Sequence, residues 1–449
     1  MMSLAEAAAA TAGRASGGAA ALGGVSTDTR GLARGDLFIA LRGERFDGHA
    51  FLQAAASAGA AAVMVEEGYS GALPLPALFV PDTRRGLGDL ARAWRARFSP
   101  AVIGIAGSNG KTTVKEMIAA ILRRHFGDAA VLATAGNLNN DIGMPLTVLK
   151  LRAAHRCCAI ELGMNHKGEI AYLASIACPT VALVNNAQRE HLEFMRSVAE
   201  VAAENASVYD ALPADGVAVV NADDAHAAFF RKAAGRRKVV DFGLDAAAAV
   251  SGSYALKGLS SEIRIRTAAG EAPATLAIPG LHNVRNALAA AACALAVGID
   301  EKTIGEGLSA FRPYTGRLQV KQARSGATVI DDSYNANPDS VRAAIDVLAS
   351  CPGPTALVLG DMGEVGTQGV EFHREVGSYA SSRRISRLYA IGEAAVHAVE
   401  AFGPGARHFD SVEALAASVE GKSILVKGSR FMRMERVVAA LTGDAAGGH

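Results

Sequence analysis

The chain has 449 residues, of which 50% are hydrophobic, and its 45 Lys and Arg side chains nearly balance its 44 Asp and Glu side chains. At about 100 to 200 residues per domain, this length predicts about three domains, and a net charge of +1 excludes a global field that attracts nucleic acid or anionic membranes. The five cysteines lack C-x-x-C spacing, the N-terminus lacks a basic cluster, and no uninterrupted apolar run reaches about 18 residues. We therefore expect a cytoplasmic, monomeric protein without nucleic-acid binding, membrane insertion, a disulfide framework or a zinc site.

The first domain is predicted to end just before residue 99. Residues 1–98 alternate short apolar runs with polar turns, and a predicted helix over residues 87–98 stops at Ser99 and Pro100. From residue 101 the pattern changes to a strand over residues 102–106, a glycine loop and a helix over residues 113–124.

The middle of the chain has the pattern of a mostly parallel α/β sheet. Strand-like runs at residues 157–160, 180–184 and 217–220 are separated by helical segments. An Ala-rich helix over residues 284–297 precedes a break near Pro313, which places the second boundary between residues 312 and 313.

The last segment, residues 313–449, repeats the alternation of strand and helix. Its strand-like runs, each followed by polar residues, are 328–330, 356–359, 388–391 and 424–426. Because open α/β sheets bind ligands at the carboxyl ends of their strands, we expect a second, Rossmann-like nucleotide-binding domain. The predicted fold class is α/β with three domains: a small N-terminal domain, a central parallel-sheet domain with a phosphate loop, and the Rossmann-like domain.

The glycine loop carries the strongest chemical signal in the sequence. It consists of Gly107, Ser108, Asn109, Gly110, Lys111, Thr112 and Thr113. A loop between a strand and a helix aims backbone N–H groups at phosphate, while Lys111 adds a charge and Thr112 a hydroxyl for magnesium. Ile105 stands where the full G-x-x-x-x-G-K-[ST] pattern has glycine, so a glycine turn followed by a surface lysine is the alternative. We predict MgATP binding at this loop.

Three further features are candidates with open alternatives. Glu161 ends a predicted strand and either binds magnesium or caps a helix N-terminus. His191 is either a metal ligand or acid–base group, or a structural loop histidine. The amide-rich segment 137–143 reads on its own as a plain turn.

Taken in order, these stretches resemble the Mur ligase family over nearly the whole chain. The resemblance rests on residues 26–30, 36–41, 47–49, 107–113, 137–145, 161–163, 191–193, 280–283, 286, 316–317, 331–340, 360–364 and 427–435. The segment Ser333 to Pro338 reads S-Y-N-A-N-P, where the tripeptide-forming branch usually shows D-Y-A-H-x-P. This stretch is similar to the branch that adds D-alanyl-D-alanine.

The resemblance implies a role for each matching residue. Lys111 and Thr112 would serve the ATP phosphates and Mg2+, and Glu161 and His191 the metals. ATP would also be contacted, from the domain boundary and the C-terminal domain, by Asn283, Arg317 and Asp332. The uridine diphosphate site would consist of Ser26, Thr27, Asp28, Thr29 and Arg30. The residues implied near the incoming dipeptide, or the cleft that it shares with ATP, are Asn335, Asn337, Lys427, Ser429 and Arg430. Residues 1–98 would bind the UDP substrate, 99–312 ATP, and 313–449 the dipeptide while closing on ATP.

The implied activity is amide ligation through an acyl phosphate. ATP would phosphorylate the terminal carboxylate of UDP-N-acetylmuramoyl-tripeptide, and the amine of D-alanyl-D-alanine would attack, giving the pentapeptide precursor of peptidoglycan, ADP and phosphate. The alternatives are another carboxylate–amine ligase, such as a different Mur ligase or a folylpolyglutamate synthase, and a non-catalytic nucleotide-dependent assembly subunit. The segment 26–30 argues against the folate enzyme.

One departure from the family concerns a metal ligand. Many Mur ligases have a lysine after the H-L-E stretch whose carbamoylated side chain supplies a carboxylate to a second magnesium site, whereas this chain has no lysine between Lys167 and Lys232. Counting from His191 puts Asn205 at that position, and Glu204, Asn205 or water remain as substitutes. We expect activity without added bicarbonate, and we expect loss of the Glu204 carboxylate to raise the magnesium requirement.

Overall fold

The computed structural model describes residues 1–44 and 46–444. Three α/β units follow one another along the chain, each built around its own main sheet. The α/β fold class with three units, a parallel central sheet among them, is confirmed, whereas the boundaries at residues 98/99 and 312/313 stay predictions. Within residues 1–44 and 46–444, no helix has the length and apolar character needed to cross a membrane.

The N-terminal unit is built on a five-stranded sheet with the order β2-β9-β8-β5-β4, parallel except for β2. Two short antiparallel pairs, β1 with β3 and β6 with β7, flank it. Its elements are β1 (Met2–Ser3), α1 (Leu4–Ala10), β2 (Arg14–Ser16), β3 (Ala21–Leu22), β4 (Val25–Ser26), β5 (Leu37–Ile39), β6 (Arg42–Gly43), β7 (Phe46–Asp47), α2 (Leu52–Ser57), β8 (Ala62–Glu66), β9 (Ala77–Val80) and α3 (Thr83–Arg95).

The central unit combines a six-stranded parallel sheet, ordered β11-β12-β10-β13-β14-β15, with a three-stranded antiparallel sheet, β16-β17-β18. Its elements are β10 (Ala101–Ala106), α4 (Lys111–Phe126), β11 (Val131–Ala133), α5 (Gly143–Val148), β12 (Cys157–Glu161), α6 (Glu169–Ala177), β13 (Val181–Val184), α7 (Val198–Ala206), β14 (Val217–Asn221), α8 (Ala227–Ala234), β15 (Lys238–Phe242), β16 (Ser251–Lys257), β17 (Ser260–Arg266), β18 (Glu271–Leu276), α9 (Leu281–Ala296) and α10 (Glu301–Ala310).

The C-terminal unit has a six-stranded sheet ordered β19-β20-β24-β21-β22-β23, in which only the edge strand β19 runs antiparallel. Its elements are β19 (Gln319–Gln322), β20 (Thr328–Asp332), α11 (Pro338–Ala349), β21 (Thr355–Gly360), α12 (Gly369–Ser382), β22 (Arg387–Ile391), α13 (Val396–Phe402), β23 (Ala406–Phe409), α14 (Val412–Ser418), β24 (Ser423–Lys427) and α15 (Glu435–Thr442).

The hydrophobic cores run across the borders between units. Leu87, Leu90 and Trp94 of α3 belong to one buried cluster with Met144 of α5 and Leu173 of α6. A second buried cluster joins central helices α4 and α9 to helix α11 of the C-terminal unit. These shared cores hold the carboxyl ends of β10, β12 and β13, and with them the loops that follow, at a fixed place between the units.

The three-stranded antiparallel sheet was not predicted. No element is expected from the sequence over residues 251–276, which form β16, β17 and β18. In β17 the buried Ser261, Ile263 and Ile265 alternate with exposed Glu262 and Arg264. This alternation is the signature of a half-buried strand.

Candidate active site

The glycine loop links the carboxyl end of β10 to the first turn of α4 and is left-handed at two glycines. Gly107 has φ 132° and Gly110, the residue preceding α4, has φ 82°. A Cβ atom at Gly110 would lie 2.5 Å from Asn286 Oδ1 of α9. Both the backbone conformation and the close approach of α9 therefore require glycine at this position.

Side-chain amides hold the loop from beneath. Asn205 Oδ1 accepts a hydrogen bond from Gly107 N at 2.8 Å, and Asn186 Oδ1 accepts one from Asn109 N at 2.8 Å. Asn185 Nδ2 donates to the carbonyl of Asn109 at 2.7 Å. These hydrogen bonds fix the shape of the loop, as a preorganised anion site requires.

Lys111 folds back over the loop that it follows. Its Nζ donates to the carbonyl oxygens of Gly107 at 2.5 Å and Ser108 at 3.0 Å, and lies 3.5 Å from Glu190 Oε2. The ammonium group thus stands over the loop at the amino end of α4, where the helix dipole also favours an anion.

Glu161, the last residue of β12, points into the same place. Its Oε1 accepts hydrogen bonds from Thr112 Oγ1 at 3.2 Å and Asn139 Nδ2 at 2.7 Å. Its Oε2 is buried and has no hydrogen-bond partner among the described residues. A buried anionic oxygen without a donor is costly unless a cation binds it, so this donor set fits Mg2+, which takes only one or two protein oxygens. The alternative of a helix N-cap partner has no support in these contacts.

His191 connects the loop after β13 to the C-terminal unit. It has a positive φ of 50°, and its Nδ1 lies 2.7 Å from Glu364 Oε2. Hydrogen bonding to His191 is the main cause that lowers the pKa of the Glu364 carboxyl. The C-terminal unit therefore reaches the site through a side chain that the sequence analysis had not assigned.

Two cavities meet at the glycine loop. The first, of about 570 Å³, brings together residues that the sequence analysis had assigned to catalysis, metal and dipeptide binding: Lys111, Thr112, Glu161, His191, Asn335, Asn337 and Arg430. The second, of about 450 Å³, is lined by residues assigned to ATP, namely Thr113, Asn283, Arg317 and Asp332. Asn109, Gly110 and Arg317 line both cavities. A nucleotide in the second cavity would therefore extend its phosphates across the loop into the first.

Some assigned residues lie elsewhere. Lys427 lines the second cavity, not the first, and its Nζ is 2.5 Å from Asp332 Oδ2 and 2.9 Å from the carbonyl of Asn335. Ser429 lines neither cavity, because its buried hydroxyl donates to the carbonyl of Ala336 at 3.1 Å and accepts from Gly363 N at 2.8 Å. Residues 26–30 form a turn on the N-terminal unit outside both cavities, and there Asp28 and Arg30 form an exposed ion pair.

Comparison with known proteins identifies the family. Residues 22–95 match the catalytic domain of the Mur ligase family, residues 105–294 the Mur ligase middle domain, and residues 316–430 the glutamate ligase domain of Mur ligases. The UDP-N-acetylmuramoyl-tripeptide–D-alanyl-D-alanine ligase of Escherichia coli (strain K12) is 42% identical over 430 residues, which cover 94% of each chain. The chain belongs to the Mur ligase family.

Solved Mur ligase structures share the whole fold. Crystal structure I of MurF from Acinetobacter baumannii superposes with a TM-score of 0.91 at 33% identity and covers 99% of both chains. The MurF ligase of Thermotoga maritima in complex with ADP has a TM-score of 0.81 at 26% identity, covering 93% of this chain and 96% of its own. The arrangement of the three units around the cleft is thus the one found in this branch of the Mur ligases.

The Glu204 carboxylate of this Mur ligase caps a helix and does not face the cleft. Both carboxylate oxygens of Glu204 accept backbone hydrogen bonds, from Gly168 N and Ile170 N at 2.9 Å each, and so cap the start of α6. Asn205, at the position of the family's lysine, instead holds the glycine loop through Gly107. Neither side chain lines the cleft.

Three residues complete the site although no role was assigned to them from the sequence: Asn139, Glu190 and Glu364. Asn139 orients Glu161, so the segment 137–143 is more than a plain turn. The amide density of that segment was an available signal. Glu190 lacked any such signal, and Glu364 was named only within the family stretch 360–364, because the roles of both depend on how separate loops meet.

Proposed function

We propose that the chain is an ATP-dependent ligase that adds D-alanyl-D-alanine to UDP-N-acetylmuramoyl-tripeptide, with ADP and phosphate as the other products. The observation that carries the proposal is the junction of the two cavities, where Lys111 and Glu161 of the central unit face Asn335 and Arg430 of the C-terminal unit. The ligase activity named for the E. coli relative, at 42% identity across 94% of the chain, supports the choice of substrates.

Phosphoryl transfer needs charge neutralisation and positioning more than covalent help from the protein. The N–H groups at the amino end of α4, together with Lys111, would supply fixed positive charge around the transferring phosphoryl group. Thr112 and Glu161 would hold Mg2+, with His191 beside them, and the ion when bound neutralises phosphate oxygens. Asn283, Arg317 and Asp332 would contact the nucleotide from the second cavity.

The remaining assignments concern the other two substrates. Asn335, Asn337 and Arg430 would orient the dipeptide amine towards the acyl phosphate, with Lys427 and Ser429 supporting them from behind, since both are buried and hydrogen-bonded within the C-terminal unit. Residues 26–30 would bind the uridine diphosphate group. Contact between the central and C-terminal units would keep water from the acyl phosphate, which hydrolyses readily. A cytoplasmic location and a monomeric state are part of the same proposal.

Phosphate release is the direct test. The enzyme should release phosphate from MgATP only when both UDP-N-acetylmuramoyl-tripeptide and D-alanyl-D-alanine are present. A panel of UDP-muramoyl peptides with different third residues would define the acceptor, and a folate acceptor with glutamate would test the folylpolyglutamate alternative. Phosphate release that is independent of both substrates would contradict the proposal and favour an assembly subunit.

A further inference from the structure

An arginine next to the active-site loop joins the central and C-terminal units. Arg189 Nε and Nη2 lie 3.1 and 2.6 Å from Asp339 Oδ1, and its Nη1 and Nη2 lie 2.7 and 3.0 Å from the two carboxylate oxygens of Glu375. The backbone N–H of Arg189 also donates to Asp339 Oδ2 at 3.0 Å. Arg189 of the central unit therefore binds two carboxylates of the C-terminal unit, those of Asp339 and Glu375.

This cluster is built more firmly than an ordinary surface ion pair. The Arg189 side chain is only 24% exposed, and its guanidinium lies 5.2 Å from the centre of the Phe372 ring. Hydrogen bonds from Arg189 are the main cause that lowers the pKa of the Glu375 carboxyl to about 2. Partial burial and a fork-shaped donor make such contacts stronger and more directional than those of a lysine.

The cluster touches the active site on both of its sides. Arg189 is followed in the chain by Glu190 and His191. Glu190 lies 3.5 Å from Lys111, and His191 contacts Glu364. Asp339 lies in the first turn of α11, whose capping residue Asn337 donates through Nδ2 to Asn109 Oδ1 of the glycine loop at 2.9 Å. A shift of α11 relative to Arg189 would therefore also move Asn337 away from the glycine loop.

We propose that Arg189 is a positioning residue whose contacts with Asp339 and Glu375 hold the C-terminal unit against the glycine loop in the catalytic arrangement. The inference rests on the proposed ligase activity for its kinetic consequence only. Among the described residues, Arg189 has no hydrogen bond or ion pair with the N-terminal unit, so binding of the uridine diphosphate group there should not depend on it.

The chain contains a matched control. Arg342 of α11 bonds Glu375 Oε1 through Nη1 at 2.8 Å, but both residues belong to the C-terminal unit. Arg342→Gln removes one arginine from the same cluster without removing a link between units. Arg189→Gln removes the side-chain contacts with Asp339 and Glu375 and leaves only the backbone N–H bond to Asp339, whereas Arg189→Lys keeps the charge but loses the fork-shaped donor.

Two measurements on the full chain test the proposal. Small-angle scattering in the presence of ADP and Mg2+ should give a larger radius of gyration for Arg189→Gln than for wild type and Arg342→Gln. Steady-state kinetics should show kcat reduced by about tenfold in Arg189→Gln, less in Arg189→Lys, and within about twofold of wild type in Arg342→Gln. Calorimetric affinity for UDP-N-acetylmuramoyl-tripeptide should stay within about twofold in all variants.

An unchanged radius of gyration in Arg189→Gln, or an equal loss of kcat in Arg189→Gln and Arg342→Gln, overturns the proposal. If Arg189→Gln fails to fold, the same comparisons are made with Arg189→Lys. Absence of turnover in the wild type would refute the ligase activity alone, because the scattering comparison still decides the role of Arg189.

Discussion

Two lysines occupy similar places in the central and C-terminal sheets and have different surroundings. Lys111 follows β10, an interior strand of the central sheet, and Lys427 ends β24, an interior strand of the C-terminal sheet. The Lys111 side chain is 14% exposed and bonds carbonyl oxygens, whereas that of Lys427 is 3% exposed and bonds the carboxylate of Asp332. One charge is open to a ligand, and the other is already neutralised.

The cause of the difference is the backbone after each strand. Between β10 and Lys111 the chain turns through the left-handed glycines 107 and 110, which place the lysine above the loop and next to the cleft. Lys427 is still part of its strand, and a Cβ atom on the following Gly428 would lie 2.6 Å from Met434 Cγ. Tight packing there holds Lys427 in the strand, where it contacts Asp332 at the wall of the second cavity, so a lysine at a strand end marks a phosphate loop only together with such glycines.

The largest expected effect is on stability, at Lys427. Lys427→Met leaves the Asp332 carboxylate without its cation in a buried place and should lower the free energy of unfolding by about 3–5 kcal/mol. Urea unfolding followed by circular dichroism measures this change. The double variant Lys427→Met with Asp332→Asn should recover part of the loss, because no charge is then left unpaired. A loss below about 1 kcal/mol in the single variant would show that the pair of Lys427 and Asp332 behaves like an exposed ion pair.

The second expected effect is on catalysis, at Lys111. Lys111→Ala should reduce the rate of phosphate release by about a hundredfold or more, because one preorganised charge at the phosphoryl group is lost. Its melting temperature should remain close to that of wild type, since Lys111 makes no contact as close to a carboxylate as that of Lys427. A folded Lys111→Ala protein with a near wild-type rate would refute the phosphate-loop assignment.

A smaller effect is expected where a carboxylate caps a helix. Glu204→Ala should lower the free energy of unfolding by about 1–2 kcal/mol, because two backbone N–H groups at the start of α6 lose their acceptor. The rate measured against magnesium concentration should superimpose on that of wild type, and added bicarbonate should change neither curve. Glu204→Gln, which keeps one acceptor oxygen, is the control. A raised magnesium requirement in Glu204→Ala would return Glu204 to the metal site.

The fold was largely predictable where strands are fully buried. The strand expected over residues 102–106 is β10 at Ala101–Ala106, and the one over 157–160 is β12 at Cys157–Glu161. Long apolar runs bounded by turns define such strands. The antiparallel sheet β16 to β18 was missed because β17 and β18 bury one face only and β16 has no buried residue, so that none of them has a continuous apolar run.

The candidate site divides along a similar line. Lys111 and Thr112 stand in a local motif, so their place in the first cavity could be predicted from the sequence. Glu204 could not be placed, because the two N–H groups that it caps lie more than thirty residues earlier in the chain. The contacts of Arg189 could not be predicted either, because Asp339 and Glu375 approach it only after the units pack together.

The smallest expected effect is on the stability of the protein at acidic pH, and it concerns Arg189. This arginine lies between the two lysines in its surroundings, because it is paired with a carboxylate like Lys427 but is partly exposed like Lys111. Hydrogen bonds from Arg189, with a smaller contribution from Arg342, lower the pKa of Glu375 from 4.5 to about 2. A carboxyl whose pKa is lower in the folded state stabilises that state fully above its unfolded pKa and loses the contribution as pH falls. The window here runs from about pH 4.5 down to about pH 2. Thermal unfolding of the wild type should therefore become progressively easier below about pH 4.5, and the dependence should be weaker, though not absent, in Arg189→Gln, because Arg342 still bonds Glu375. Identical slopes in wild type and Arg189→Gln would show that Glu375 owes its low pKa to Arg342.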